Sequence, residues 1–275
     1  MVKDNKEMKR IKLYINGFDE QLQGGIPEGY VTLICGTAGT MKSSVAFNIL
    51  YNEALDGKTG LYLSLEQSAK SLLEHAEKMG YDLSKINLVV MSDIAKLKAT
   101  IQDIKSAKGG SLVISDLGAI RKQIKETKIG PSGDWLNVIK NIIKKLKAEA
   151  KCDLFVLDSL SALYVLSSFE DPRTKLFYIF EFLRDVELTT FLISEMPLDK
   201  SKYSEYEVED YLADGIILLQ HTERFRKVIR EISIVKMRST DCNTDVFSLE
   251  YKNKKFYALQ GGKPPLVYFR IFRKQ

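Results

Sequence analysis

VTLICGTAGTMKSS, residues 31–44, is the stretch that decides the fold of this chain. A short apolar run at residues 31–35 leads into a loop with glycines at positions 36 and 39, and helical spacing begins at Ser43. Strand, glycine-rich loop and helix in this order are the setting of a phosphate-binding loop. The glycines allow a tight turn in which N–H groups point inward at phosphate oxygens, and the helix adds the positive end of its dipole. We therefore predict that a triphosphate is held by Gly36, Thr37, Ala38, Gly39, Thr40, Met41, Lys42, Ser43 and Ser44.

Three positions of this loop have individual roles in the prediction. The Lys42 ammonium would bridge β- and γ-phosphate oxygens, and the Ser43 hydroxyl would ligate Mg²⁺. Met41 departs from the general pattern G-x-x-x-x-G-K-[ST], which has glycine there, so its side chain has to point away from the phosphates. The alternative is a glycine-rich loop with a chance Lys-Ser pair. It is disfavoured because strand, glycines, lysine, serine and helix all agree in register.

Carboxylates that follow two other apolar runs supply the rest of a phosphoryl-transfer site. Asp158 follows the run at residues 153–157, where it would lie beside the loop and hold Mg²⁺ through water. Glu66 follows the run at residues 60–65 and would polarise the attacking water. Each could instead belong to a helix cap, because a serine and a helical pattern follow both. Glu195, with Ser194, ends a further apolar run, and this edge could sense the γ-phosphate.

The whole chain alternates short apolar runs with longer helical patterns. Several runs are continuously apolar, which is typical of parallel strands covered on both faces, and after Asp214 strands follow one another directly. We predict an α/β fold, with a mostly parallel sheet flanked by helices and an antiparallel C-terminal extension. A single domain would cover residues 1–260, with an exposed loop at 122–135 and a basic tail at 261–275. The predicted strands are 31–35, 60–65, 86–91, 112–115, 153–157, 189–194, 215–220, 228–236, 246–250 and 255–258, and the predicted helices 43–55, 68–79, 136–150 and 175–185.

Composition excludes several classes of function. The N-terminal segment is charged and lacks the apolar stretch of a signal peptide, and no apolar run approaches the roughly 18–20 residues that span a bilayer. The chain is therefore expected to be cytoplasmic, without a membrane span. Its three cysteines are isolated from one another and from its two histidines, so neither zinc nor disulfides are expected. The net charge of +5 permits a polyanionic partner without requiring one.

Six stretches, in order along the chain, resemble one family. They are INGFDEQLQGGIPEGYVTLICGTAGTMKSS at 15–44, YLSLEQS at 62–68, MGYDLSK at 79–85, LFVLDSLSAL at 154–163, VEDYLADGIILL at 208–219 and VKMRSTD at 235–241. Together they resemble the KaiC-like branch of the RecA/RadA superfamily of P-loop ATPases. The resemblance covers nearly all of residues 15–260, and it is far more specific than the phosphate loop alone.

This resemblance implies a RecA-like core that binds ATP with Mg²⁺. It implies a homo-oligomeric ring, often a hexamer, with nucleotide at each subunit boundary. It also implies that Glu66 is the catalytic carboxylate, that Lys42 and Ser43 contact phosphate and Mg²⁺, and that Asp158 is the second acid on the metal side.

The same resemblance implies that Lys236 and Arg238 reach the γ-phosphate bound by the neighbouring subunit. A cation inserted in this way neutralises charge in the transition state, so hydrolysis would depend on assembly. Without the resemblance, both residues would be ordinary charges on one face of a strand.

Two departures from the family pattern suggest a slow or regulatory ATPase with a regulatory protein partner. Relatives commonly carry paired glutamates where this chain has Glu66-Gln67, and Met41 replaces a usual glycine. The place that carries phosphorylated Ser and Thr in the autokinase half of the clock protein reads Glu209-Asp210-Tyr211 here. Autophosphorylation is therefore not predicted.

Two other functions remain open at this point. A RadA-paralogue-like protein would bind DNA through a basic stripe, and no DNA-binding module precedes the core, which lowers this interpretation. A non-hydrolysing, nucleotide-dependent assembly factor is compatible with Met41 and Gln67. Lysines of a solvated helix face are the simpler interpretation of the candidate DNA stripe, which comprises residues 122–128 and Lys140, Lys144, Lys145, Lys147 and Lys151.

Overall fold

The computed structural model describes residues 8–116, 118, 135–167, 171–197, 202–224 and 226–260. The strands in those residues are β1 (Arg10–Ile11), β2 (Ile15–Asn16), β3 (Ile26–Pro27), β4 (Val31–Gly36), β5 (Thr59–Ser64), β6 (Asn87–Met91), β7 (Ser111–Asp116), β8 (Cys152–Asp158), β9 (Thr189–Glu195), β10 (Gly215–Arg224), β11 (Lys227–Met237), β12 (Val246–Lys252) and β13 (Lys255–Leu259). The α-helices are α1 (Lys42–Leu55), α2 (Ala69–Met79), α3 (Leu97–Ser106), α4 (Trp135–Ala150), α5 (Leu160–Ser167), α6 (Pro172–Asp185) and α7 (Val208–Leu212). Short 3-10 helices occupy Asp19–Leu22, Leu83–Lys85 and Ile94–Lys96.

One large sheet organises the described residues, with strand order β2-β13-β12-β11-β10-β4-β9-β8-β5-β7-β6. From β10 to β6 every neighbouring pair is parallel, and from β10 to β13 every pair is antiparallel. This confirms the predicted α/β fold with its antiparallel C-terminal extension. Because β4, β9, β8 and β5 are parallel neighbours, their carboxyl ends meet at one edge of the sheet.

The central strands are buried on both faces, as their continuous apolar sequences predict. Every residue of β4 is buried, and successive side chains enter different cores. Ile34 belongs to the core on the face covered by α1 and α2, whereas Leu33 and Cys35 belong to the core on the face covered by α4, α5 and α6. Alternation with a period of two follows from strand geometry, so a strand covered by helices on both sides must be apolar throughout.

Two helices, α3 and α5, lie where the sequence patterns predicted none. The buried residues of α3 are Leu97, Thr100, Ile101 and Ile104, and this spacing of three and four could have revealed the helix. Helix α5 is almost entirely apolar, so it lacks the amphipathic period by which a surface helix is recognised. The β10–β11 hairpin is also longer than predicted, since its pairing continues to Arg224 and Lys227.

Three predicted segments lie outside the described residues. These are most of the loop at 122–135, the basic candidates at 122–128, and the tail at 261–275. Among the helices that the structure describes, none combines the length and the apolar character needed to cross a bilayer.

Candidate functional site

The loop between β4 and α1 is closed by contacts that only small residues allow. A Cβ atom on Gly36 would lie 2.3 Å from the Leu219 carbonyl oxygen and 2.8 Å from Thr40 Oγ1. Thr40 Oγ1 donates to the Thr37 carbonyl at 2.8 Å, which closes the turn on itself. Gly39 has a φ of +79°, a conformation that side chains rarely adopt. The loop is therefore held in its bent form by the protein itself.

Met41 explains why the general pattern has glycine at this position. It is the N-cap of α1, with φ 75° and ψ 26°, so its backbone is left-handed. A residue with a Cβ in this conformation costs about 1–2 kcal/mol. The Met41 side chain lines the cleft and also packs against the apolar core on the α1 face. Burial against that core offsets part of the backbone cost, and α1 begins one residue later, at Lys42.

Lys42 is held at the centre of the loop. Its Nζ donates to the Thr37 carbonyl at 3.0 Å and lies 3.5 Å from Glu195 Oε1. The register pairs Gly36 with Glu195, so this carboxylate lies beside the loop. Ser194, by contrast, is fully buried, and its side chain does not reach the cleft. Of the predicted Ser194-Glu195 edge, only Glu195 belongs to the site.

Asp158 and Ser43 converge on the predicted metal side. Asp158 is 2% exposed, and its Oδ2 accepts a hydrogen bond of 2.6 Å from the Tyr62 hydroxyl. The Ser43 hydroxyl is within hydrogen-bonding reach of both Asp158 and Tyr62. Burial raises the pKa of the Asp158 carboxyl, and the hydrogen bonds from Tyr62 and Ser43 partly oppose that rise.

This donor set fits Mg²⁺. A hydroxyl and a carboxylate are hard oxygen ligands, and Mg²⁺ is usually held by one or two such protein groups together with substrate phosphates and water. Among the described residues, no cluster of three or more acidic, histidine or cysteine side chains could hold a metal by itself. The residues present therefore suit a cation that arrives with a nucleotide.

Glu66 faces the cleft directly after β5. Its Oε1 accepts a hydrogen bond from the Ser159 hydroxyl, and burial raises the pKa of its carboxyl while that hydrogen bond lowers it. The alternative of helix capping is met by serines instead. Ser159 Oγ accepts from the Ala162 amide at the start of α5, and Ser68 caps α2 through the Ser71 amide. Neither Glu66 nor Asp158 is occupied as a cap.

Several residues at the cleft were not predicted from sequence. The cleft has a volume of about 820 Å³, and its walls include residues of α2, β11 and β12. His75 Nε2 lies 3.1 Å from Ser44 Oγ, and Arg230 Nε donates to the Gly39 carbonyl at 3.4 Å. No local motif signals these contacts, because they depend on how distant elements pack. Tyr62 could only have been noticed as a polar group inside an apolar strand.

Lys236 and Arg238 lie near the opposite end of the strands. Lys236 is paired with Ile216 on β10, which pairs with Leu33, three residues before Gly36. That offset corresponds to about 10 Å along the strand. Neither Lys236 nor Arg238 lines the cleft of its own chain.

Both cations have partners within the chain. Lys236 Nζ donates to the Asp210 carbonyl at 2.8 Å, and burial and the nearby Arg238 charge lower the pKa of its ammonium. Arg238 donates to Asp214 Oδ1 at 2.8 Å and to the Tyr211 carbonyl at 3.0 Å. The structure therefore brings Lys42, Ser43, Glu66 and Asp158 together and leaves these two cations apart.

The lysines of the candidate DNA stripe that the structure describes lie on or next to α4. Lys140 and Lys144 stand over the Phe182 ring at 5.2 and 5.5 Å from its centroid. Lys147 donates to the Glu187 carbonyl at 3.0 Å, while Lys145 and Lys151 are exposed. Three of these five lysines thus contact the rest of the chain.

Comparisons with known proteins identify relatives of the chain. The family model described as "ATPase: KaiC" matches residues 11–257. The circadian clock protein KaiC3 of Synechocystis is 27% identical over 252 residues, which are 90% of this chain and 45% of that protein. The circadian clock oscillator protein KaiC of Synechococcus elongatus is 24% identical over 240 residues, 86% of this chain and 41% of that protein. The chain therefore spans less than half the length of these curated relatives.

A solved structure supports the same fold. The crystal structure of a KaiC-like protein from Pyrococcus horikoshii matches with a TM-score of 0.70 and 24% identity, and the match covers 91% of this chain and 99% of that one. At this level of identity the likeness establishes the arrangement of strands and helices.

Proposed function

Because this chain belongs to the KaiC family of ATPases, we propose that it binds ATP with Mg²⁺ in the cleft at Gly36–Ser43 and hydrolyses it slowly. The proposal includes assembly into a homo-oligomeric ring, hexameric as the family resemblance implies, with a nucleotide at each boundary between subunits. The output would be regulatory, through a protein partner.

One observation carries this proposal. Four strand ends deliver a cation, a hydroxyl and carboxylates to a single cleft beside a closed glycine loop. Lys42 and Ser43 follow β4, Glu66 follows β5, Asp158 ends β8 and Glu195 ends β9. A structural role does not require a buried lysine, a buried carboxylate and an open carboxylate at one edge, whereas phosphoryl transfer requires all three.

The residues divide the work as follows. Backbone N–H groups of the loop would bind the phosphates, and Lys42 would exchange its contact with Glu195 for the β- and γ-phosphate oxygens. Ser43 and Asp158 would hold Mg²⁺, which when bound neutralises phosphate charge. Glu66 would orient a water molecule and accept its proton. Gln67 cannot accept a proton, so this chain has one base where relatives commonly have paired glutamates.

The cations of β11 provide the argument for a ring. Within one chain Lys236 and Arg238 are near the wrong end of the strands to meet the phosphates of their own cleft. A second copy placed against the open cleft could supply them, and a cation that arrives only on assembly makes hydrolysis depend on assembly.

The segment Glu209-Asp210-Tyr211 has other tasks than accepting a phosphoryl group. Glu209 is fully buried and accepts from the Tyr164 hydroxyl, while the Asp210 and Tyr211 carbonyls accept from the β11 cations. We therefore include no autokinase activity in the proposed function. DNA binding is not favoured either, since three of the candidate lysines contact their own chain.

Light scattering with and without Mg-ATP, followed by phosphate release on the same sample, tests the proposal. We expect the wild-type protein to form a larger assembly with Mg-ATP and to release phosphate. A Glu66→Gln protein should assemble but release almost none. A wild-type protein with no affinity for adenine nucleotides in the presence of Mg²⁺ would refute both the binding and the enzymatic parts of the proposal.

A further inference from the structure

Tyr62 lies directly beneath the metal side of the cleft without lining it. The side chain is fully buried, and its ring packs beside Phe47, with centroids 6.4 Å apart. The Tyr62 hydroxyl donates to Asp158 Oδ2 at 2.6 Å. A phenol that cannot touch a bound nucleotide therefore holds the carboxylate that faces one.

The simplest interpretation of a buried tyrosine is that its hydroxyl merely finds some partner in the core. Two other buried tyrosines of the same aromatic cluster behave in that way. Tyr81 donates to Asn48 Oδ1 at 2.9 Å, and Tyr51 donates to the Asp82 carbonyl at 2.9 Å, both away from the cleft. Tyr62 differs because its hydroxyl meets Asp158 and is also within reach of the Ser43 hydroxyl. These are the two predicted Mg²⁺ ligands.

The contact also fixes how the carboxylate can turn. A hydrogen bond to Oδ2 restrains rotation about the Cβ–Cγ bond, so Oδ1 keeps one orientation. The Asp158 backbone is restrained as well, because its carbonyl accepts from the Leu65 amide at 2.5 Å. Groups of this kind, one bond removed from a metal, orient its ligands and set its affinity.

We propose that Tyr62 is a positioning residue for the Mg²⁺ side of the site, whose hydroxyl holds Asp158 and Ser43 in the arrangement that a nucleotide-bound Mg²⁺ requires. This inference rests on the proposed function. Its expected effect is on the affinity for Mg²⁺, which outer groups alter by roughly 10–100-fold. Binding of the nucleotide without metal should not depend on Tyr62.

The test is a titration of ADP into the wild-type, Tyr62→Phe and Tyr81→Phe proteins, measured by calorimetry. One series contains EDTA, and the other contains rising concentrations of Mg²⁺. Phenylalanine keeps the ring and its packing, so Tyr62→Phe removes only the hydroxyl. Tyr81→Phe is the matched control, because it removes a buried tyrosine hydroxyl from the same cluster without touching either metal ligand.

We expect all three proteins to bind ADP equally in EDTA. The Mg²⁺ concentration that gives half of the gain in ADP affinity should be roughly 10–100-fold higher in Tyr62→Phe and unchanged in Tyr81→Phe. Equal Mg²⁺ midpoints in wild type and Tyr62→Phe would overturn the positioning role while leaving the proposed function intact. Failure of the wild type to bind ADP with or without Mg²⁺ would remove the proposed function and this inference together.

Melting curves recorded without nucleotide separate folding from positioning. If Tyr81→Phe folds and Tyr62→Phe does not, the Tyr62 hydroxyl serves folding, and the positioning role is wrong. An equal loss of Mg²⁺ affinity in both variants would have the same meaning, because Tyr81 does not contact the metal side.

Discussion

The two ends of the strands β4 and β10 carry different kinds of charge network. At the carboxyl end of β4, Lys42 is almost buried, and Glu195 Oε1 is 3.5 Å from its Nζ across the cleft floor. At the other end, Asp214 is buried and paired with Arg184 and Arg238, and it also accepts from the Val31 amide at 3.0 Å. The first network faces a cleft, whereas the second is satisfied within the chain.

This difference separates what one chain contains from what a second chain would have to supply. The ammonium of Lys42 is fixed beside the place where phosphates would lie. The guanidinium of Arg238 is about half exposed, and Arg184 can still neutralise Asp214 if Arg238 moves away. Arg238 is thus a cation that could be lent to a neighbour without leaving a buried carboxylate unpaired.

The largest expected effect tests the cleft end. Lys42→Ala should lower turnover by roughly 100–1000-fold, because one preorganised cation no longer meets the developing charge on the phosphates. Steady-state phosphate release measures this. Lys70→Ala is the matched control, since Lys70 is exposed and pairs only with Glu74 on the surface of α2. Equal turnover in Lys42→Ala and wild type would mean that the loop is not a phosphate site.

The second prediction tests the Asp214 end. Arg238→Ala should lower turnover by about a hundredfold, since Lys236 remains. Because Arg184 still pairs with Asp214, the variant should fold and assemble. Full activity in an assembled Arg238→Ala protein would refute the role in trans.

Mixing two inactive proteins sharpens this prediction. Arg238→Ala subunits have an intact cleft, and Glu66→Gln subunits have an intact cation. In a random one-to-one ring about a quarter of the boundaries would combine both intact halves, so activity should return to about a quarter of wild type. Cations that act within their own chain would give no recovery.

The third prediction concerns pH. Burial raises the pKa of Glu66, and the base must be ionised to accept a proton. Turnover should therefore fall as pH decreases through the raised pKa, tenfold per pH unit, and this fall should begin above the value of about 4.3 for an unperturbed glutamate.

Ser159→Ala provides the comparison for that prediction. The Ser159 hydrogen bond lowers the pKa of Glu66, so its loss should move the acid limb of the pH–rate profile to higher pH. Profiles of turnover at saturating Mg-ATP measure both proteins. An acid limb that stays at the same pH in Ser159→Ala would exclude Glu66 as the titrating base.

The smallest expected effect is at Met41. Met41→Gly relieves the left-handed backbone but loses apolar contact and gains chain entropy in the unfolded state, so stability should change by less than about 1 kcal/mol. Met41→Val should lower stability by about 1–2 kcal/mol, because a β-branched residue tolerates this φ poorly. Urea unfolding measures both. A Met41→Val protein as stable as Met41→Gly would show that the backbone does not set this position.

Much of the site was predictable because its parts are local. Gly36, Lys42 and Ser43 belong to one loop, whose conformation depends mainly on neighbouring residues. Glu66 and Asp158 could be predicted because each directly follows an apolar run, and the carboxyl ends of parallel strands meet at one edge. The predicted fold class is confirmed for the same reason, since continuous apolar strands require cover on both faces.

Other parts could not be predicted in this way. The sequence left open whether Glu66 and Asp158 act as caps, and only the structure shows that Ser68 and Ser159 take that task. Helix α5 escaped prediction because a helix that is apolar all round has no amphipathic period. The trans role of Lys236 and Arg238 stays a prediction from the family resemblance.

By itself, the sequence determined a phosphate loop between a buried strand and a helix, and a mostly parallel sheet with an antiparallel extension. Only the tertiary structure decided that Tyr62 meets Asp158 across 96 residues of chain and that Lys236 lies at the far end of the sheet. The physical reason is that hydrophobic periodicity encodes which face of an element is buried. It does not encode strand order or register, and these decide which distant polar groups meet.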